Sequence, residues 1–110
     1  MREDAARLLP PQFIVAIDAE EAPSVQGIFD YEADRISGTS TALIGDAALV
    51  VRPHTAMGVA KAAGDVLSLR AHLRRATNLV AALRGFEAER IVVGREIAAY
   101  GQQLGRSSMR

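Results

Sequence analysis

Residues 42–69 read ALIGDAALVVRPHTAMGVAKAAGDVLSL. Ala42-Leu43-Ile44 is a short apolar run with turn residues on both sides, the pattern of a fully buried strand. Gly45 closes that strand and allows another group to approach the backbone, and Asp46 beside it offers a carboxylate that can accept two hydrogen bonds from a diol such as a ribose. From Gly58 onward, Val59, Ala62, Ala63, Val66, Leu67 and Leu73 recur at helical spacing and predict a helix packed along one face. The free N–H groups and positive dipole end at its start can face an electron-rich group. Gly64 inside this helix costs roughly 1 kcal/mol against Ala, which implies that another backbone passes close by. The plain alternative for Gly45-Asp46 is a turn that ends a strand and binds nothing.

Upstream, Arg2 to Leu9 can form two helical turns before Pro10-Pro11 interrupts the backbone, and Pro11 suits a first helical position. Phe13, Ile14 and Ile17 then form a short apolar stripe that ends at Asp18, Glu20 and Glu21. Val25 to Ile36 alternates loosely and predicts a half-buried strand, followed by a turn at residues 37–41. Downstream, Thr77-Asn78 is placed to cap a last helix on which Leu79, Leu83, Phe86, Val93, Ile97, Tyr100 and Leu104 step by three and four, with a bend expected near Gly85 or Gly94 and a frayed tail. The segments are therefore 1–40, with short helices and one strand; 41–76, with strand, Gly-Asp loop and helix; and 77–110, the last helix and tail.

Composition removes several function classes. Thirteen basic residues balance thirteen acidic ones without long runs of either sign, which gives no support to nucleic-acid or membrane binding. There is no cysteine, so no disulfide, thiolate metal site or cysteine nucleophile exists, and a cytoplasmic setting is expected. The 49% apolar content contains only 5% aromatic residues and no Trp, which leaves a small-grained core of Ala, Val and Leu. Mean hydropathy is +0.09, and no run approaches the length of a membrane span.

Leu43-Ile44-Gly45-Asp46-Ala47-Ala48, Arg52-Pro53-His54, Met57-Gly58-Val59 and Lys61-Ala62-Ala63-Gly64-Asp65 together resemble the single-component FAD-dependent aromatic-ring hydroxylases (monooxygenases), most closely the branch like 2,6-dihydroxypyridine hydroxylase. Leu8-Leu9-Pro10-Pro11, Ile28-Phe29-Asp30 and Phe86-Glu87-Ala88-Glu89-Arg90 extend the resemblance to that branch's connecting helix, substrate-domain strand and C-terminal helix. The resemblance implies that Gly45 and Asp46 hold the ribityl or ribose region of FAD, and that Met57, Gly58 and Val59 lie against the pyrimidine edge of the flavin. A helix start there would stabilise the negative charge that develops on reduction. Pro53 would pass the ring on its substrate side, with His54 beside it as a flavin or substrate contact. Leu49, Arg52 and Ala60 replace the His, Pro and Asn that are frequent in the wider superfamily, and Val92 replaces a Pro.

No GxGxxG follows a strand, so the pyrophosphate-binding unit of such an enzyme is missing, as is the central Asp-Gly motif. The implied protein is α/β in class, α+β in isolation. It corresponds to a C-terminal part of a monooxygenase that hydroxylates an aromatic or N-heteroaromatic ring with FAD, NAD(P)H and dioxygen, and it is expected to be inactive alone. Its expected partners are FAD and either the missing N-terminal FAD-binding portion or a second copy. A non-catalytic helical interaction module and one chain of a split flavoenzyme remain the alternatives, the first because the last helix carries an apolar seam. No metal ligands or catalytic residues are assigned. Arg52 pairs either with a phosphate or with a nearby carboxylate. Asp65 is expected to order its helix or its neighbour, His72 to lie on a solvated face, and Glu87, Glu89 and Arg90 to form a helix-surface ion pair.

Overall fold

A computed structural model describes residues 1–108, apart from the His54 side chain. In chain order the elements are α1 (Arg2–Leu8), α2 (Pro11–Ala19), β1 (Tyr31–Glu32), β2 (Leu49–Val50), α3 (Gly58–Arg75) and α4 (Leu79–Ser108). Short 3-10 turns at Gly45–Ala47 and Pro53–Thr55 flank β2. The described residues form a mixed α/β arrangement of four helices and one antiparallel two-stranded sheet, in which Tyr31 lies opposite Val50 and Glu32 opposite Leu49.

The helices begin and end where local chemistry directs. Pro11 opens α2, where its missing N–H removes nothing. Asn78 caps α4 by accepting the Ala81 N–H on its side-chain oxygen at 2.9 Å. His72, Arg74 and Arg75 occupy the last turn of α3, opposite the negative end of its dipole. Three residues, 76–78, then connect α3 to α4 as a helical hairpin. The last helix runs unbroken through Gly85 and Gly94 and includes residues 105–108, which the sequence assigns to a frayed tail. At Gly94, a Cβ would stand 3.0 Å from Leu49 Cδ2, so the missing side chain lets the strand-bearing loop lie directly on α4.

The strand expected over Val25–Ile36 contracts to Tyr31–Glu32, supplemented by a single bridge between Ser37 and Ala42. Extended backbone needs a neighbour to take its hydrogen bonds, and β2 offers only two residues. Ala42-Leu43-Ile44 is not the buried strand that its composition suggests, since Leu43 is 40% and Ile44 39% exposed. Burying it on both faces would require further strands and layers that the described residues do not provide.

The core is small. Ala33, Ile36, Ala48 and Phe86 form its centre, with Ala42, Leu69 and Ile91 packed around them. The apolar seam of α4 is covered by its own chain in its middle, where Leu83, Phe86 and Ile97 are buried, while Leu79 and Tyr100 remain about half exposed. By contrast α3 is turned inside out: Lys61, Asp65 and Ser68 are its buried residues, while Val59, Val66, Leu67 and Leu73 are exposed. The α1–α2 pair buries only Ala5. The molecule measures 63 × 31 × 20 Å with a radius of gyration of 19.5 Å, against about 13 Å for a compact domain of this length. Among the described residues no helix is long and apolar enough to cross a membrane.

Phe86 is fully enclosed, so Phe86→Ala should lower the free energy of unfolding by about 3–5 kcal/mol in urea denaturation. Leu79→Ala, at a half-exposed position on the same helix, should change it by no more than about 0.5 kcal/mol.

Candidate functional site

The Gly45–Ala47 turn sits against α3. Gly45 adopts φ +60°, a left-handed conformation that favours glycine, and a Cβ there would lie 3.6 Å from Ala62 Cβ. Both polar groups of its backbone are held by α3 side chains. The Gly45 N–H donates to Asp65 Oδ2 at 2.9 Å, and Lys61 Nζ donates to the Gly45 carbonyl at 2.7 Å. Lys61 and Asp65, one helical turn apart, also bond each other at 3.0 Å, and both are almost completely buried.

A third member arrives from α4. Arg90 Nε donates to Asp65 Oδ1 at 2.7 Å, and its guanidinium reaches the Lys61 carbonyl at 3.4 Å. This explains Gly64 differently from the sequence expectation, since the close neighbour is a side chain: a Cβ on Gly64 would stand 2.9 Å from an Arg90 terminal nitrogen. Burial pushes the Asp65 carboxyl up, but hydrogen bonds from Arg90, Lys61 and the Gly45 N–H outweigh it and hold the group below its ordinary value.

Asp46 projects from this fixed turn and is exposed, without a hydrogen-bond or ion-pair partner among the described residues. Twelve positions later α3 starts at Gly58, where a Cβ would meet nothing within 4 Å, followed by Val59 at 85% exposure. Met57, half-buried, leads into the helix and donates its N–H to Thr55 Oγ1 at 3.2 Å. Ala56 just before it takes φ 51°, a conformation that costs a non-glycine residue roughly 1–2 kcal/mol. The structure therefore brings Gly45 and Asp46 to the first turns of α3. Pro53 is exposed, and its turn packs along the C-terminal half of α4, where Thr55 Cγ2 lies 3.3 Å from the Cβ position of Gly101. The His54 side chain, assigned by sequence to a flavin or substrate contact, lies outside the described residues.

Several polar residues have roles that the sequence misplaces. Arg52 pairs with Asp30, its Nε 3.0 Å from each carboxylate oxygen, which settles its two alternatives in favour of a carboxylate. Glu87, Glu89 and Arg90 do not pair on the surface of α4, because Glu87 is drawn to the loop at Ile36–Ser37 and the other two to different residues of α3. Glu87 accepts the Ile36 and Ser37 N–H groups, each at 2.8 Å, and Glu89 meets His72 Nε2 at 2.7 Å. His72 is accordingly half-buried between the helices instead of solvated. The available sequence signal was the polar row Lys61, Asp65, Ser68 and His72, spaced by four, three and four residues along one face of the helix.

No known family, curated protein or solved structure matches the chain.

Asp65→Ala would leave two cations facing each other in a buried site, and should destabilise the chain by about 3–5 kcal/mol. A carboxyl held below its unfolded value contributes stability that is complete above about pH 4 and is lost as pH falls through the lower folded value. Thermal melts should therefore give a nearly constant midpoint from about pH 7 to about pH 5 and a falling one below about pH 4. Asp65→Asn should flatten part of that acid limb.

Proposed function

We propose that this chain supplies the ribityl-side half of a flavin site in an FAD-dependent hydroxylase of aromatic or N-heteroaromatic rings, and that it needs a separate dinucleotide-binding portion to work. The observation that carries this reading is the exposed carboxylate of Asp46, without a polar partner among the described residues, on a left-handed turn that packs against Lys61, Ala62 and Asp65 near the start of an 18-residue helix. A carboxylate accepts the hydrogen bonds of flavin hydroxyls, and a helix start favours negative charge at the pyrimidine edge. These residues fit that part of the group. Arg52 pairs with Asp30 through its Nε, and this reading assigns pyrophosphate recognition to the separate portion.

FAD, when bound, supplies hydride acceptance from NAD(P)H and the activation of dioxygen. This chain's own contribution is to orient and retain it: Asp46 through the hydroxyls, and the Met57-Gly58-Val59 backbone through the ring edge. The inside-out α3 supports the need for a second portion. Lys61 and Asp65 pack on its own chain while Val59, Val66, Leu67 and Leu73 face outward beside the exposed Arg70 and Arg74, so an added layer would bury these apolar residues. The same exposed residues favour, as a second reading, a non-catalytic helical interaction module whose binding face is α3 instead of the partly covered seam of α4.

Flavin titration separates the two. The chain alone should bind FAD more weakly than about 1 μM, because phosphate and adenine contacts supply much of a dinucleotide's affinity. When a GxGxxG-containing polypeptide of such a hydroxylase is supplied in trans, flavin should be retained, and Asp46→Ala should shorten retention by about one to two orders of magnitude through loss of charge-assisted bonds. Glu96→Ala, on the exposed side of α4, should leave retention unchanged. Equal retention by wild type and Asp46→Ala would reject the flavin reading.

A further inference from the structure

The Gly45–Ala47 turn stands at the end of an irregular hairpin whose two sides are gripped by residues one turn apart on α4. On the incoming side, Glu87 accepts the N–H groups of Ile36 and Ser37 at 2.8 Å each. On the outgoing side, Arg90 fixes Asp65 at 2.7 Å, and Asp65 in turn fixes the Gly45 N–H at 2.9 Å. The hairpin enters this stretch from the buried Ile36, with Ala42 packed on the core, and between the two gripped points it has few cross-links. Its cross-links are the Ser37–Ala42 bridge, the Leu43 N–H on the Ile36 carbonyl at 2.7 Å and the Gly38 N–H on the Thr41 carbonyl at 2.9 Å, and Leu43 and Ile44 are too exposed to anchor it by burial.

We infer that Glu87 and Arg90 are positioning residues: together they form a two-point clamp on α4 that sets where the Gly45-Asp46 turn stands and so aims the Asp46 carboxylate, although neither would touch a ligand. The spacing of the pair makes this possible, because residues three apart on a helix project to the same side. Their chemistry is complementary. Glu87, an acceptor only, satisfies two backbone donors of the incoming segment, while Arg90, a donor only, orients the acceptor that serves the outgoing one. A two-stranded hairpin of this length is marginal in water, so its geometry follows the clamp. The role of Asp46 toward a flavin hydroxyl rests on the proposed function, but the clamp itself does not.

Hydrogen exchange of the full chain tests the clamp without any ligand. Glu87→Ala and Arg90→Met should accelerate exchange of the Gly45 amide at least tenfold, while amides in the middle of α4, such as Val93 and Ile97, keep their wild-type rates. Glu87→Gln, which retains the acceptor oxygen, should restore slow exchange at Gly45, and Arg90→Lys should restore it partly. Unchanged Gly45 exchange in the Ala and Met variants, or equal acceleration at Gly45, Val93 and Ile97, overturns the clamp. With the dinucleotide-binding polypeptide added, Glu87→Ala should also shorten flavin retention, with Glu87→Gln restoring it. Should Asp46→Ala retain flavin like wild type while Gly45 exchange still responds to Glu87→Ala, the flavin reading fails and the clamp stands. Should Asp46→Ala lose flavin while Gly45 exchange ignores both α4 variants, the clamp fails alone.

Discussion

One buried carboxylate holds three parts of this chain together. Asp65 takes hydrogen bonds from a loop amide, from Lys61 on its own helix and from Arg90 on the next. Removing such a charge from water costs several kcal/mol, and the cost is met only when its lone pairs are fully used. Every group around it is accordingly constrained. Gly45 must expose its N–H in a left-handed turn, Lys61 must lie one helical turn before Asp65, and Gly64 must have no side chain where Arg90 crosses. The Gly45 carbonyl offsets the surplus positive charge by accepting from Lys61.

This arrangement fixes a loop with polar contacts where a larger domain would use apolar burial. The apolar centre is limited to a few residues around Phe86, and the molecule is elongated. A fully satisfied polar network gives one geometry, because its hydrogen bonds are directional. Dispersion packing of Ala, Val and Leu alone would tolerate several. The turn that carries Asp46 is thus rigid at its glycine and open at its carboxylate. That combination suits a residue that must meet a ligand group at a set position, as the proposed flavin site requires.

The outward apolar face of α3 belongs to the same logic. A helix whose charged stripe faces its own chain has exchanged the usual sides. The polar stripe is inside because it grips the loop, which leaves Val59, Val66, Leu67 and Leu73 exposed alongside Arg70 and Arg74. The proposed second portion would cover Val59, Val66, Leu67 and Leu73 and supply the phosphate contacts absent from this sequence.

By itself the sequence determined the helices and their caps. Pro11, Gly58 and Asn78 mark helix starts through local backbone chemistry, and the three-and-four spacing of Leu83, Phe86 and Ile97 marks the buried side of α4. It also singled out Gly45-Asp46 as a turn, since a glycine followed by an acid after an apolar run is a local signal. Tertiary structure alone decided the rest. Ala42-Leu43-Ile44 looks like a buried strand, but burial depends on neighbours that local composition cannot report. Glu87, Glu89 and Arg90 look like a surface cluster because sequence spacing shows which residues share a helix face, and not what lies opposite. The pairing of Arg90 with Asp65 spans 25 residues and depends on how two helices pack. That packing placed a polar stripe inside, and periodicity by itself assigns the inside to apolar residues.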